Sequence, residues 1–92
     1  MEFSWEYFCN DNEMVAVHCP TPENARKFCR LMSEHNLVWQ TGRNYLGKNL
    51  WYDHKEKTCY TNQGSYLSLE DAYSNYNIYE FSEVMQVEEN DI

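Results

Sequence analysis

Met14-Val15-Ala16-Val17-His18-Cys19-Pro20-Thr21-Pro22-Glu23 is the stretch that decides the fold, because the hydrophobic period changes inside it. Up to Cys19 the period is that of a strand, with Val15, Val17 and Cys19 on one face. Pro20 to Glu23 stop that pattern and open another. Thr21 is a good N-cap, Pro22 suits the first helical position, where no N–H is needed, and Glu23 sets a carboxylate against the positive end of the helix dipole. Beyond it Ala25, Phe28, Cys29 and Met32 recur at i, i+3, i+4 and i+7 as one apolar stripe. The spacing predicts a helix over about residues 22 to 35, closed by Asn36. Arg26, Lys27 and Arg30 then form a solvated face, braced by the Glu23–Lys27 and Arg30–Glu34 spacings.

Working outward, Phe3, Trp5 and Tyr7 alternate with Ser4 and Glu6, and Asn10 to Glu13 supply turn chemistry, which predicts a β-hairpin with Met14 to Cys19. Downstream, Leu37 to Gln40 reads as a short strand stopped by Thr41-Gly42. Tyr45 to His54 has no clean period and reads as loop, with one helical turn around Leu50 to Asp53. Thr58 to Asn62 has strand composition, Gln63-Gly64-Ser65 turns, and Ser68 caps a second short helix near 69–75 with Asp71 at the capping-box position. Asn77 to Phe81 alternates as a final strand, and Glu88 to Ile92 reads as a frayed acidic tail. The expected architecture is one α+β domain over about residues 1 to 87, a length that allows a modest core. Its small, mostly antiparallel sheet carries the main helix on one face, with Phe28, Cys29 and Met32 buried against Val15, Val17 and Trp39.

Charge is partitioned along the chain. All seven basic residues lie between Arg26 and Lys57, whereas the flanks carry only acids, so the net charge is −8. Such a chain repels nucleic acid at long range and attracts basic partners, which argues against direct DNA binding. The opening residues have no basic or apolar leader pattern and no apolar run is long enough to span a membrane. The expectation is a cytoplasmic protein with no membrane partner. In a reducing compartment Cys9, Cys19, Cys29 and Cys59 are expected to be buried free thiols. With His18 they offer zinc ligands only without C-x-x-C or paired-histidine spacing, so no metal and no other cofactor is expected. A nucleophile built from Cys19 or Cys59 with His35 or His54 lacks any activating motif, and Asp53-His54 and Glu70-Asp71 lie in polar stretches, so no catalytic residue is assigned.

The order Cys19-Pro20-Thr21-Pro22-Glu23, Val38-Trp39-Gln40-Thr41-Gly42, Leu50-Trp51, Thr58-Cys59-Tyr60 and Tyr76-Asn77-Ile78-Tyr79-Glu80-Phe81 resembles a widespread group of small uncharacterised proteins. They occur in bacteriophages, prophages and mobile elements of low-GC Gram-positive bacteria. The resemblance covers about Met14 to Val84 and leaves out the acidic tail. It implies a phage accessory context in an infected or lysogenic host, and carries no residue-level activity with it.

Two functions fit these features. The first is a non-enzymatic, anti-CRISPR-like or other anti-defence inhibitor, a DNA mimic whose acidic, aromatic surface occupies the basic nucleic-acid-binding surface of a host protein. Its expected contact residues are Glu70, Asp71, Glu80, Glu83, Glu88 and Glu89. The second is a nucleotide-binding module that sequesters a signalling nucleotide, with Trp39, Trp51 and Tyr60 stacking a base while Arg43 and Lys48 hold phosphate. Against it, the same aromatics also suit a core that a short chain needs, with Gly42 merely supplying a turn.

Overall fold

The computed structural model describes residues 2–10, 12–45 and 50–90. Its elements are α1 (Trp5–Phe8), β1 (Val15–His18), α2 (Pro22–Glu34), β2 (Thr58–Thr61), β3 (Tyr66–Ser68), α3 (Leu69–Tyr73), β4 (Asn77–Glu80) and α4 (Phe81–Asn90), with two 3-10 turns at Trp51–Asp53 and Lys55–Lys57. The four strands form one sheet in the order β3-β2-β1-β4. β1 pairs antiparallel with β2 and parallel with β4, and β2 pairs antiparallel with β3, so the sheet is mixed and mostly antiparallel. The architecture is α+β.

α2 forms for the reasons written in its sequence. The Thr21 hydroxyl accepts from the Asn24 N–H at 3.1 Å, Pro22 occupies the first turn, and Ala25, Phe28, Cys29 and Met32 are buried. Its end is a Schellman motif around Asn36, whose φ is +65°. The Leu37 N–H donates to the Met32 carbonyl and the Asn36 N–H to that of Ser33. The main core lies between α2 and the sheet face carrying Val15, Val17, Tyr60 and Tyr79, and is completed by Phe3, Phe8, Phe81 and Val84. On the other sheet face Ala16 and Cys59 pack with Ala72 of α3.

Three local expectations are corrected. Residues 3–7 are not the first strand of a hairpin: the Ser4 hydroxyl accepts from the Tyr7 N–H at 3.0 Å and starts α1, whose Phe8 is buried. The Asn10 to Glu13 segment therefore joins a helix to β1. Asn62 anchors it, its side-chain amide donating to the Asn10 and Glu13 carbonyls while its oxygen accepts from the Val15 N–H. Leu37 to Gln40 forms no strand, and Val38 makes only an isolated bridge to Asn44. The acidic segment from Glu88 is helical through Asn90, because the Glu88 carboxylate accepts from the Trp5 indole N–H at 2.7 Å. Asp91 and Ile92 lie outside the described residues. Among the described residues no helix is long and apolar enough to cross a membrane.

Candidate functional site

One concavity among the described residues is built from two tight turns. In the first, the Gly42 N–H donates to the Trp39 carbonyl and the Trp39 N–H to that of Arg43, both at 2.8 Å, with Gly42 at φ +87°. The second is the turn between β2 and β3, where Gly64 has φ +76°. The Gln40 N–H donates to the Gly64 carbonyl at 3.0 Å and clips the two together. A Cβ on Gly64 would stand 2.7 Å from the Gln40 nitrogen, so only glycine admits this approach of backbones.

Trp39 is half-buried where the turns meet. Its ring centroid lies 4.3 Å from that of buried Tyr45 and 5.8 Å from that of Tyr66, which meets it edge-on. The Tyr66 hydroxyl donates to the Asp53 carboxylate, and that bond holds the phenol above its usual pKa. Between these groups opens a cavity of about 630 Å³, lined by Trp39, Arg43, Leu50, Tyr66 and other residues of the two turns, and among the described residues by no carboxylate. Arg43 is exposed and has no ion pair among the described residues.

Of the five residues proposed to stack a base or hold a phosphate, the fold thus brings Trp39 and Arg43 together. Trp51 and Tyr60 are buried and do not line the cavity: the Trp51 indole N–H donates to the Cys19 carbonyl at 2.9 Å, and Tyr60 sits in the main core behind Trp39, their ring centroids 6.3 Å apart. Lys48 lies outside the described residues. Gln40, Thr41, Asn44, Leu50, Gly64, Ser65 and Tyr66 are described cavity residues that sequence reasoning missed. The only signal for them was the Gly64-Ser65 turn, and nothing local says which loop that turn will touch.

The acids divide into two groups. α1 docks against β4 and α4 through the Trp5–Glu88 bond, the Tyr7 hydroxyl accepting from the Asn77 amide, and an edge-on contact of Phe3 with Tyr79. That docking brings Glu2 and Glu6 into the same region as Glu83, Glu88 and Glu89. Glu70 and Asp71 sit on α3, across the sheet, where the Lys57 ammonium holds the Glu70 carboxyl below its usual range. Most of the expected contact acids have internal tasks. Glu80 meets His18 Nδ1 at 2.8 Å while His18 Nε2 lies 2.6 Å from the Glu56 carbonyl, and the Glu83 carboxylate accepts from the Glu80 N–H at 2.7 Å. Glu6 and Glu89 are exposed, without a side-chain partner among the described residues.

Cys19, Cys29 and Cys59 are buried, as expected, whereas Cys9 is exposed because α1 ends there instead of continuing a strand. Burial pushes the Cys29 and Cys59 thiols up to about 12 and that of Cys19 well up, which keeps all three protonated at neutral pH. Neither histidine considered as their base adjoins them: His35 stacks on Trp5 at 4.0 Å and His54 faces Tyr66 at 5.4 Å. Among the described residues no three His, Cys, Asp or Glu side chains are placed to hold a metal ion. The chain matches no protein-family model, no curated protein and no solved structure.

Proposed function

We propose that the protein is a non-enzymatic phage accessory inhibitor, acting in the cytoplasm of an infected or lysogenic bacterium. In this reading an acidic face occupies the nucleic-acid-binding surface of a host defence enzyme, in the manner of an anti-CRISPR or other anti-defence protein. The observation that carries it is the meeting of the two acidic flanks, where the Trp5–Glu88 bond joins residues 83 positions apart and sets Glu2, Glu6, Glu83, Glu88 and Glu89 in one region. A dense negative surface steers a basic groove toward itself, and the half-buried aromatics Trp5 and Tyr7 beside it supply apolar contact area.

The test uses acids that do no structural work. Full-length protein is immobilised and offered nuclease-treated host lysate at about 0.05 M and about 0.5 M salt, and retained proteins are identified by mass spectrometry. The expected partner is a basic nucleic-acid-binding protein whose retention falls at high salt and is competed by a DNA or RNA oligonucleotide. A Glu2→Lys, Glu6→Lys, Glu89→Lys variant keeps its fold and associates about tenfold more slowly. A partner that binds this variant as fast as the parent, or that nucleic acid does not displace, overturns the proposal.

A further inference from the structure

We propose that the cavity between the Trp39–Arg43 turn and the Gly64–Tyr66 segment binds a mononucleotide, with the base against the Trp39 indole and the phosphate on Arg43. The site shares no residue with the acidic face, so it stands or falls separately. Its volume of about 630 Å³ lies in the range of small-ligand sites, about 300–1,000 Å³. It is set before any ligand arrives, because the Gln40–Gly64 bond locks one wall to the other and Tyr45 and Tyr66 fix the indole plane.

The chemistry of the walls selects the ligand. On a chain of net charge −8, a cavity that among the described residues has no carboxylate and one guanidinium without an ion pair suits an anion. A bare inorganic anion would leave the indole and Leu50 unused, and a neutral ring would leave Arg43 unused. A planar aromatic anion uses both, and the guanidinium fork matches phosphate geometry. The Trp39 indole N–H has no partner among the described residues and is not sealed from solvent, so it is a ready donor. Gln40 and Thr41, both exposed at the rim, add groups suited to a base edge or ribose.

Isothermal titration calorimetry of the full chain with AMP, GMP, CMP and UMP tests this, with the four nucleosides and inorganic phosphate run in parallel. At least one mononucleotide is expected to bind, and its nucleoside and inorganic phosphate each about tenfold more weakly or not at all. Arg43→Gln, an exposed substitution that leaves the fold intact, is expected to reduce nucleotide affinity to that of the nucleoside and leave nucleoside binding unchanged. Trp39→Phe retains part of the stacking and is expected to weaken nucleotide and nucleoside alike. No heat from any of the four mononucleotides at about 1 mM overturns the site, as does an Arg43→Gln variant that binds nucleotide like the parent. Equal affinity for nucleotide and nucleoside overturns it as well.

Discussion

Gly64 combines two demands that no other residue meets, a positive φ and a backbone neighbour where a side chain would begin. Gly64→Ala is expected to destabilise the protein by about 2 kcal/mol or more, read by urea denaturation, and to open the cavity under Trp39. Gly42→Ala is expected to cost only the turn strain, about 1 kcal/mol, since nothing stands within 4 Å of its missing Cβ. The turn at Gly64 was legible in Gln63-Gly64-Ser65, but the close approach was not, because Gln40 arrives from another part of the chain. The cysteines give a second test at this scale. At neutral pH one thiol, Cys9, is expected to react with a thiol reagent in the folded protein, slowed because partial burial raises its pKa, and Cys19, Cys29 and Cys59 only on unfolding. Folding raises the Cys29 and Cys59 pKa to about 12, so their contribution to stability is fully present below the ordinary thiol range and lost as pH climbs through it toward about 12. Alkaline titration by circular dichroism is expected to show stability falling from about pH 9 upward.

At the scale of elements, α2 was legible because cap, proline and apolar stripe all agree, whereas α1 and α4 were not. Phe3, Trp5 and Tyr7 alternate as a strand would, but a Ser4 cap and the Trp5–Phe8 spacing suit one helical turn equally well. The choice falls to burial of Phe3 and Phe8 together with the reach of Trp5 to Glu88. Ser4→Ala is expected to cost about 1 kcal/mol, an effect that a mid-strand serine would not give. α4 had a signal in Phe81, Val84 and Met85, with Glu83 placed to bond back to the Glu80 N–H, but the acids after it made the segment look solvated. Phe28→Ala, at the centre of the aromatic cluster formed with Trp5, Phe8, Tyr60 and Phe81, is expected to cost about 3–5 kcal/mol in chemical denaturation.

For the molecule as a whole, charge layout and fold oppose each other. The fold joins two acidic regions of the chain, while the described ion pairs are limited to His18–Glu80, Arg26–Glu23 and Lys57–Glu70. Screening therefore relieves more repulsion than the attraction it removes. Raising salt from about 0.05 M to about 0.5 M is expected to stabilise the protein by roughly 0.5–1 kcal/mol, and a falling Tm would show that the acidic regions do not meet. That meeting was not legible in the sequence, since a flank carries no mark of where it will lie. The strand order has a consequence in time. β1 lies inside the sheet, yet both its neighbours are made after it, β4 about 60 residues later. At a ribosomal rate of about 5–20 residues per second, the nascent chain carries Val15-Ala16-Val17 with no strand partner for roughly 2 to 9 s, until β2 is made, and with one edge open for roughly 3 to 12 s, until β4 is made. α1, already made, is a single turn, so α2, emerging directly behind with its apolar stripe, is the longest cover for that strand in the interval, and its local helical strength governs how exposed the newborn chain is to misassociation.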